Sequence, residues 1–171
     1  LLRVLAGLDA PFAITSQQGN DFSTGTNLIT LEGTAPIKIR SIKVNGVTHP
    51  ILWTSPTTWS VRIALPGASH PLLLEGIDYD GNPLPGATDT ITVDYTGPVE
   101  TPESWVVINE LHYHPAVPDT GFLELFNRST SSAFDLSNHR LEGVDFTFPE
   151  GSLIAPGQHL VVAANASAFV A

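Results

Sequence analysis

The 171-residue chain carries 7 Lys and Arg against 17 Asp and Glu, a formal charge of -10, and has no cysteine. That balance disfavours a phosphate backbone or an anionic membrane leaflet as partner, and the missing thiols exclude disulfide staples, cysteine-ligated zinc and a thiol nucleophile. The length suits two small domains held by packing alone, and no apolar run reaches the roughly 20 residues that a bilayer span needs.

Leu1, Val4, Leu5 and Leu8 fall at helical spacing before the Asp9-Ala10-Pro11 break, so residues 1–10 read as the helical remnant of an upstream domain. From 11 to 96 the texture is short β-branched runs bounded by Gly, Pro, Asn or Asp. The runs are Phe12 to Ser16, Asn27 to Thr34, Ile37 to Val44, Ile51 to Trp53, Thr58 to Leu65, Pro71 to Tyr79 and Thr88 to Tyr95. That makes about seven strands, the number of a β-sandwich. Asn45-Gly46 predicts a type I′ hairpin, and Asp80-Gly81-Asn82 a second tight reversal. Trp59, Val61, Ile63 and Leu65 alternate with polar or small residues and should line the core with Leu31, Ile42, Val44, Leu72, Leu74 and Val93.

Residues 97–104, with two prolines and two glutamates within Thr96 to Ser104, read as a linker. Strand texture resumes over 105–171, in runs at Trp105 to Tyr113, Gly121 to Asn127, Ala133 to Leu136, Arg140 to Phe148 and Gln158 to Ala164. Asn165 is placed to cap a closing helix that begins at Ala166.

Four ordered blocks, VINELHYHP (Val107 to Pro115), FLELFNRS (Phe122 to Ser129), FDLSNHRLEG (Phe134 to Gly143) and FTFPEGSLIAPGQHLVVAAN (Phe146 to Asn165), resemble a bacterial lamin-tail domain. The resemblance implies an immunoglobulin-like fold of the kind found in secreted bacterial proteins. His139 stands where the family often has tryptophan, and the sequence ends before the last strands of such a module. The preceding region is similar to the bacterial immunoglobulin-like domains found beside lamin-tail domains. LLRVLAGL followed by APFAITS resembles the junction at which a CotH-like kinase region hands over to accessory modules.

Asp78, Asp80 and Asn82 place oxygen donors at alternate positions before a glycine turn, as a calcium loop begins, with Glu75 or Asp89 as further donors. The distal glutamate is absent, and the same letters make an ordinary hairpin turn. Glu110, His112 and His114 share one face of a strand by parity and suggest a zinc set, although same-face neighbours lie about 7 Å apart. Asn109, Glu110 and Glu124 occupy polar positions of the lamin-tail pattern, which implies structural hydrogen bonds. Trp53 follows Pro50-Ile51-Leu52 on a presumed edge strand and is the candidate for stacking on a sugar. The sequons at Asn127 and Asn165 imply no glycan in a bacterial setting. No nucleophile elbow, phosphate-binding glycine loop or His-Glu-x-x-His helix occurs.

The sequence therefore predicts two tandem immunoglobulin-like β-sandwiches in an all-β chain, with no catalytic residues and no cofactor beyond a calcium ion at Asp78. Its expected role is a spacer and interaction scaffold in a larger exported bacterial protein, outside the cell or on its surface, touching other domains of its parent and surface proteins or polysaccharide. Calcium-assisted or aromatic-mediated carbohydrate binding is one alternative, and a metal-dependent hydrolase built on Glu110, His112 and His114 is another. Neither nucleic acid nor membrane insertion is expected. An incomplete C-terminal sandwich predicts a second domain that is partly disordered, paired in a strand-sharing dimer or completed by a neighbouring chain.

Overall fold

A computed structural model describes residues 9–169. The predicted N-terminal helix lies outside the described residues, apart from Asp9 and Ala10, which are not helical. The chain is almost wholly β-structure, and its apolar side chains gather into two clusters, one within 14–95 and one within 123–154.

The first cluster lies between two sheets. Strands β1 (Ala13–Ile14), β3 (Leu28–Thr34), β7 (Thr58–Ala64) and β6 (Ile51–Ser55) form a four-stranded sheet in the order β1-β3-β7-β6. Strands β2 (Phe22–Thr24), β9 (Pro83–Tyr95), β8 (Ser69–Asp78), β4 (Ile39–Val44) and β5 (Val47–His49) form a five-stranded sheet in the order β2-β9-β8-β4-β5. All pairings are antiparallel except β2 with β9. All ten core residues read from the period-2 pattern are buried, with Leu31, Ile42, Leu74 and Val93 fully so. Asn45 and Gly46 both have positive φ, 49° and 83°, as a type I′ turn between β4 and β5 requires. Gly33 has a different necessity, since a Cβ there would stand 2.2 Å from Cζ2 of Trp59. The indole packs against that bare backbone and donates its Nε1 hydrogen to Thr34 O at 2.9 Å.

The presumed linker is folded rather than free. Tyr95 Oη donates to Pro98 O at 2.7 Å, and Pro102–Trp105 forms one helical turn, α1, with proline in its first turn. Trp105 thus ends a helix instead of opening a strand.

The second cluster sits under a three-stranded antiparallel sheet of β10 (Val106–His112), β11 (Phe122–Asn127) and β16 (His159–Ala163), in the order β10-β11-β16. Two small hairpin-like pairs cover part of one face: β12 (Phe134–Asp135) with β15 (Leu153–Ile154), and β13 (Arg140–Leu141) with β14 (Phe146–Thr147). The run from Arg140 to Phe148, read as one strand, is therefore a reversal, with Gly143 (φ 90°) and Asp145 (φ 50°) turning the chain. Asn165 caps α2 (Ala166–Phe169) as predicted, its Oδ1 accepting from the amides of Ser167 and Ala168.

Candidate functional site

The Asp78 loop is a self-satisfied turn. Asp78 Oδ1 accepts from the amides of Asp80 at 2.9 Å and Asn82 at 2.8 Å, and Gly81 takes φ 85°. Asp89 points elsewhere, its carboxylate accepting from the amide of Ile14 at 2.7 Å. Asp78 Oδ1 therefore holds the local backbone in shape.

Glu110 and His112 do share a face of β10, facing Glu124 and Phe122 across the strand pair. His114 falls beyond the end of the strand, its ring 6.2 Å from that of Tyr113. Among the described residues no three His, Cys, Asp or Glu side chains gather as a metal-holding group. The outer face instead carries a polar and aromatic strip. Asn109 Nδ2 donates to Glu124 Oε1 at 2.7 Å, His159 Nδ1 meets the same oxygen at 2.8 Å, and these contacts, the asparagine first, hold the Glu124 carboxyl below its usual range. His159 stacks on Phe126 at 4.5 Å and His112 on Phe122 at 5.3 Å. Trp53 is no free platform, being half-buried opposite Trp59 and packed on the first core. Asn127 is fully buried, with its amide donating to Ser132 O, Ile154 O and Ala155 O, so it organises loops and is closed to a glycan. No described serine hydroxyl bonds a histidine ring; Ser129 and Ser69 pair with Glu100 and Asp94.

The inner face of the same sheet is unfinished around β10. A bulge between Ile108 and Glu110 brings Ile108 and Leu111 to one side, opposite Leu125 and Leu123. Leu123 and Leu125 are buried, yet Ile108 is 59% and Leu111 54% exposed. A groove of about 410 Å³ runs there, lined by Leu111, Leu123, Val144, Phe146 and Val162. The far edge of β10 pairs with nothing among the described residues. Neither lysine nor proline occurs within Val106–His112 to blunt it, and the bulge is its one irregularity.

The two halves meet along β5. Asn27, buried on the first half, brackets Ala133 of the second, donating from Nδ2 to its carbonyl at 2.6 Å and accepting its amide at 2.8 Å on Oδ1. The Thr48 amide donates to Glu150 Oε2 at 2.9 Å, so a carboxylate satisfies an edge-strand donor and is in turn held below its usual range. Gly151, at φ 77°, comes so close that a Cβ would stand 2.3 Å from Pro50 Cδ. Beside it is a cleft of about 460 Å³ bordered by His49, Phe134, Asp135, His139 and Glu100. His49 is only 5% exposed, and its Nδ1 finds no hydrogen-bond partner among the described residues. Burial pushes its pKa down from 6.5, opposed by the charges of Asp135 and Glu150. Sequence reading missed these junction residues because Asn27 and Ala133 are 106 positions apart and no local period links them.

Residues 100–170 match the model of the Lamin Tail Domain family, so that part of the chain is similar to a lamin-tail domain. No curated protein matches the sequence. Among solved structures, SGBP-B of the Bacteroides ovatus mixed-linkage glucan utilization locus, in complex with a mixed-linkage heptasaccharide, aligns at 11% identity over 90% of this chain with a TM-score of 0.28. The chain spans 44% of that protein, and a match so loose bears on neither fold nor ligand.

Proposed function

We propose that the chain is a non-catalytic accessory region of a larger exported bacterial protein, acting as spacer and as a platform that takes partners by strand addition at β10. The observation that carries this reading is the β10 edge, unpaired among the described residues, beside the exposed Ile108 and Leu111. An extended segment laid there gains main-chain hydrogen bonds from the edge and buries side chains in the Leu111–Phe146 groove. The lamin-tail match, the acidic surface and the lack of cysteine fit an extracellular or cell-surface setting. Any catalytic domain belongs elsewhere in the parent protein.

A second copy of the chain is the partner that can be assayed directly, because each copy presents the same edge and a two-fold axis pairs them. With each copy at -10, association should strengthen as salt screens the repulsion. Light scattering across concentration should show a monomer–dimer equilibrium that Leu111→Lys abolishes while leaving the melting temperature nearly unchanged. A wild-type mass that stays monomeric at high concentration and high salt overturns self-pairing.

A further inference from the structure

We propose that His49 makes the contact between the two halves acid-sensitive: the junction is closed while its imidazole is neutral and loosens when the ring is protonated. The inference is independent of strand addition at β10. It rests on where the ring sits. His49 ends β5, an edge strand of the five-stranded sheet, paired with Ile42 on the inner side. On the outer side the second half covers it, Gly151 approaching so closely that a Cβ there would lie 3.0 Å from His49 Cα. A neutral ring tolerates such burial, whereas an imidazolium needs acceptors or water.

Among the described residues none of the charged groups around it is hydrogen-bonded to its Nδ1. Asp135 of β12 holds Ser137 through Oδ1, and Glu150 holds the Thr48 amide through Oε2, so the nearby carboxylates are engaged in turn and junction contacts. Lys43 of β4 pairs with Thr48 in register and adds a positive charge near Glu150. His70, His139, Glu100 and Glu103 border the same cleft. His49 Nδ1 is buried without a partner among the described residues. Burial holds its pKa below the ordinary 6.5 in the closed form, outweighing the attraction of Asp135 and Glu150. The open form, with the ring in water, binds the proton more readily. The preference for closure is thus complete above pH 6.5 and falls as pH drops below it, down to the depressed pKa of the closed form. Glu150 is itself held below the usual carboxylate range, chiefly by the Thr48 amide, so it is still ionised where loss of closure begins. The junction bond from Thr48 is therefore not what titrates first.

Amide hydrogen exchange of Thr48 and Ala133 in the whole chain, corrected for the intrinsic pH dependence, tests the proposal. Protection at both should fall below pH 6.5, by at most about tenfold per pH unit for one proton, while Leu31 and Val61 in the first core keep theirs. His49→Phe, which cannot titrate, should remove the pH dependence. Unchanged protection down to pH 5, or the same loss in His49→Phe, overturns it. Should that variant fail to fold, NMR titration of the wild-type imidazole decides: a pKa clearly below 6.5 is the expected result, and one at or above 6.5 contradicts the latch.

Discussion

The two halves solve the same packing problem in opposite ways. In the first, a four-stranded and a five-stranded sheet close on one another, and Trp59, Leu31, Leu74 and Ile91 are all but sealed from water. In the second, a three-stranded sheet is covered by two short strand pairs, and polar side chains do much of the organising. Asn127 ties three carbonyls, Ser129 Oγ accepts from the amides of Ser131 and Ser132, and Ser137 Oγ accepts the Gly151 amide. A closed sandwich is held by apolar burial spread over many residues. A partly covered sheet depends on single buried amides, and it leaves apolar surface that a partner can use.

That contrast can be broken at chosen points. Trp59→Ala removes the largest side chain of the first core together with its bond to Thr34 O, and should destabilise that half by about 3–5 kcal/mol, seen as a lowered midpoint in denaturant titration. Asn127→Ala leaves buried carbonyls in the second half without donors. It should cost about 2–4 kcal/mol there and split the thermal melt into two steps, with the first half still folded after the earlier one. Gly151→Ala acts on the seam between them, where positive φ and the 2.3 Å approach to Pro50 leave no room for a methyl. Its effect should be about 1–2 kcal/mol, read as faster exchange of the Thr48 amide with both cores unchanged.

Much of the first half was legible because its signals are local. Alternation in Thr58–Ala64 places Trp59, Val61 and Ile63 inside, and Asn45-Gly46 dictates its own turn. Strands as short as Phe22–Thr24, Val47–His49 and Leu153–Ile154 carry too few residues to show a period, and they escaped. The parity argument put Glu110 and His112 on one face correctly, but neither the bulge at Ile108/Glu110 nor the end of the strand before His114 has a signature in the letters. The junction was the least legible. Asn27, His49, Glu150 and Gly151 look like ordinary strand, loop and turn residues until folding brings them together across about 100 positions of chain.

The central claim, that β10 is an available edge, is tested most directly by amide exchange along Val106–His112 at low and at high protein concentration. The account predicts that the outward-facing amides of β10 exchange at close to unprotected rates in dilute protein, gain protection as the chain associates, and do so while β11 stays protected throughout. Full protection of every β10 amide in a dilute monomer would mean that the edge is already covered, and would contradict the strand-addition reading.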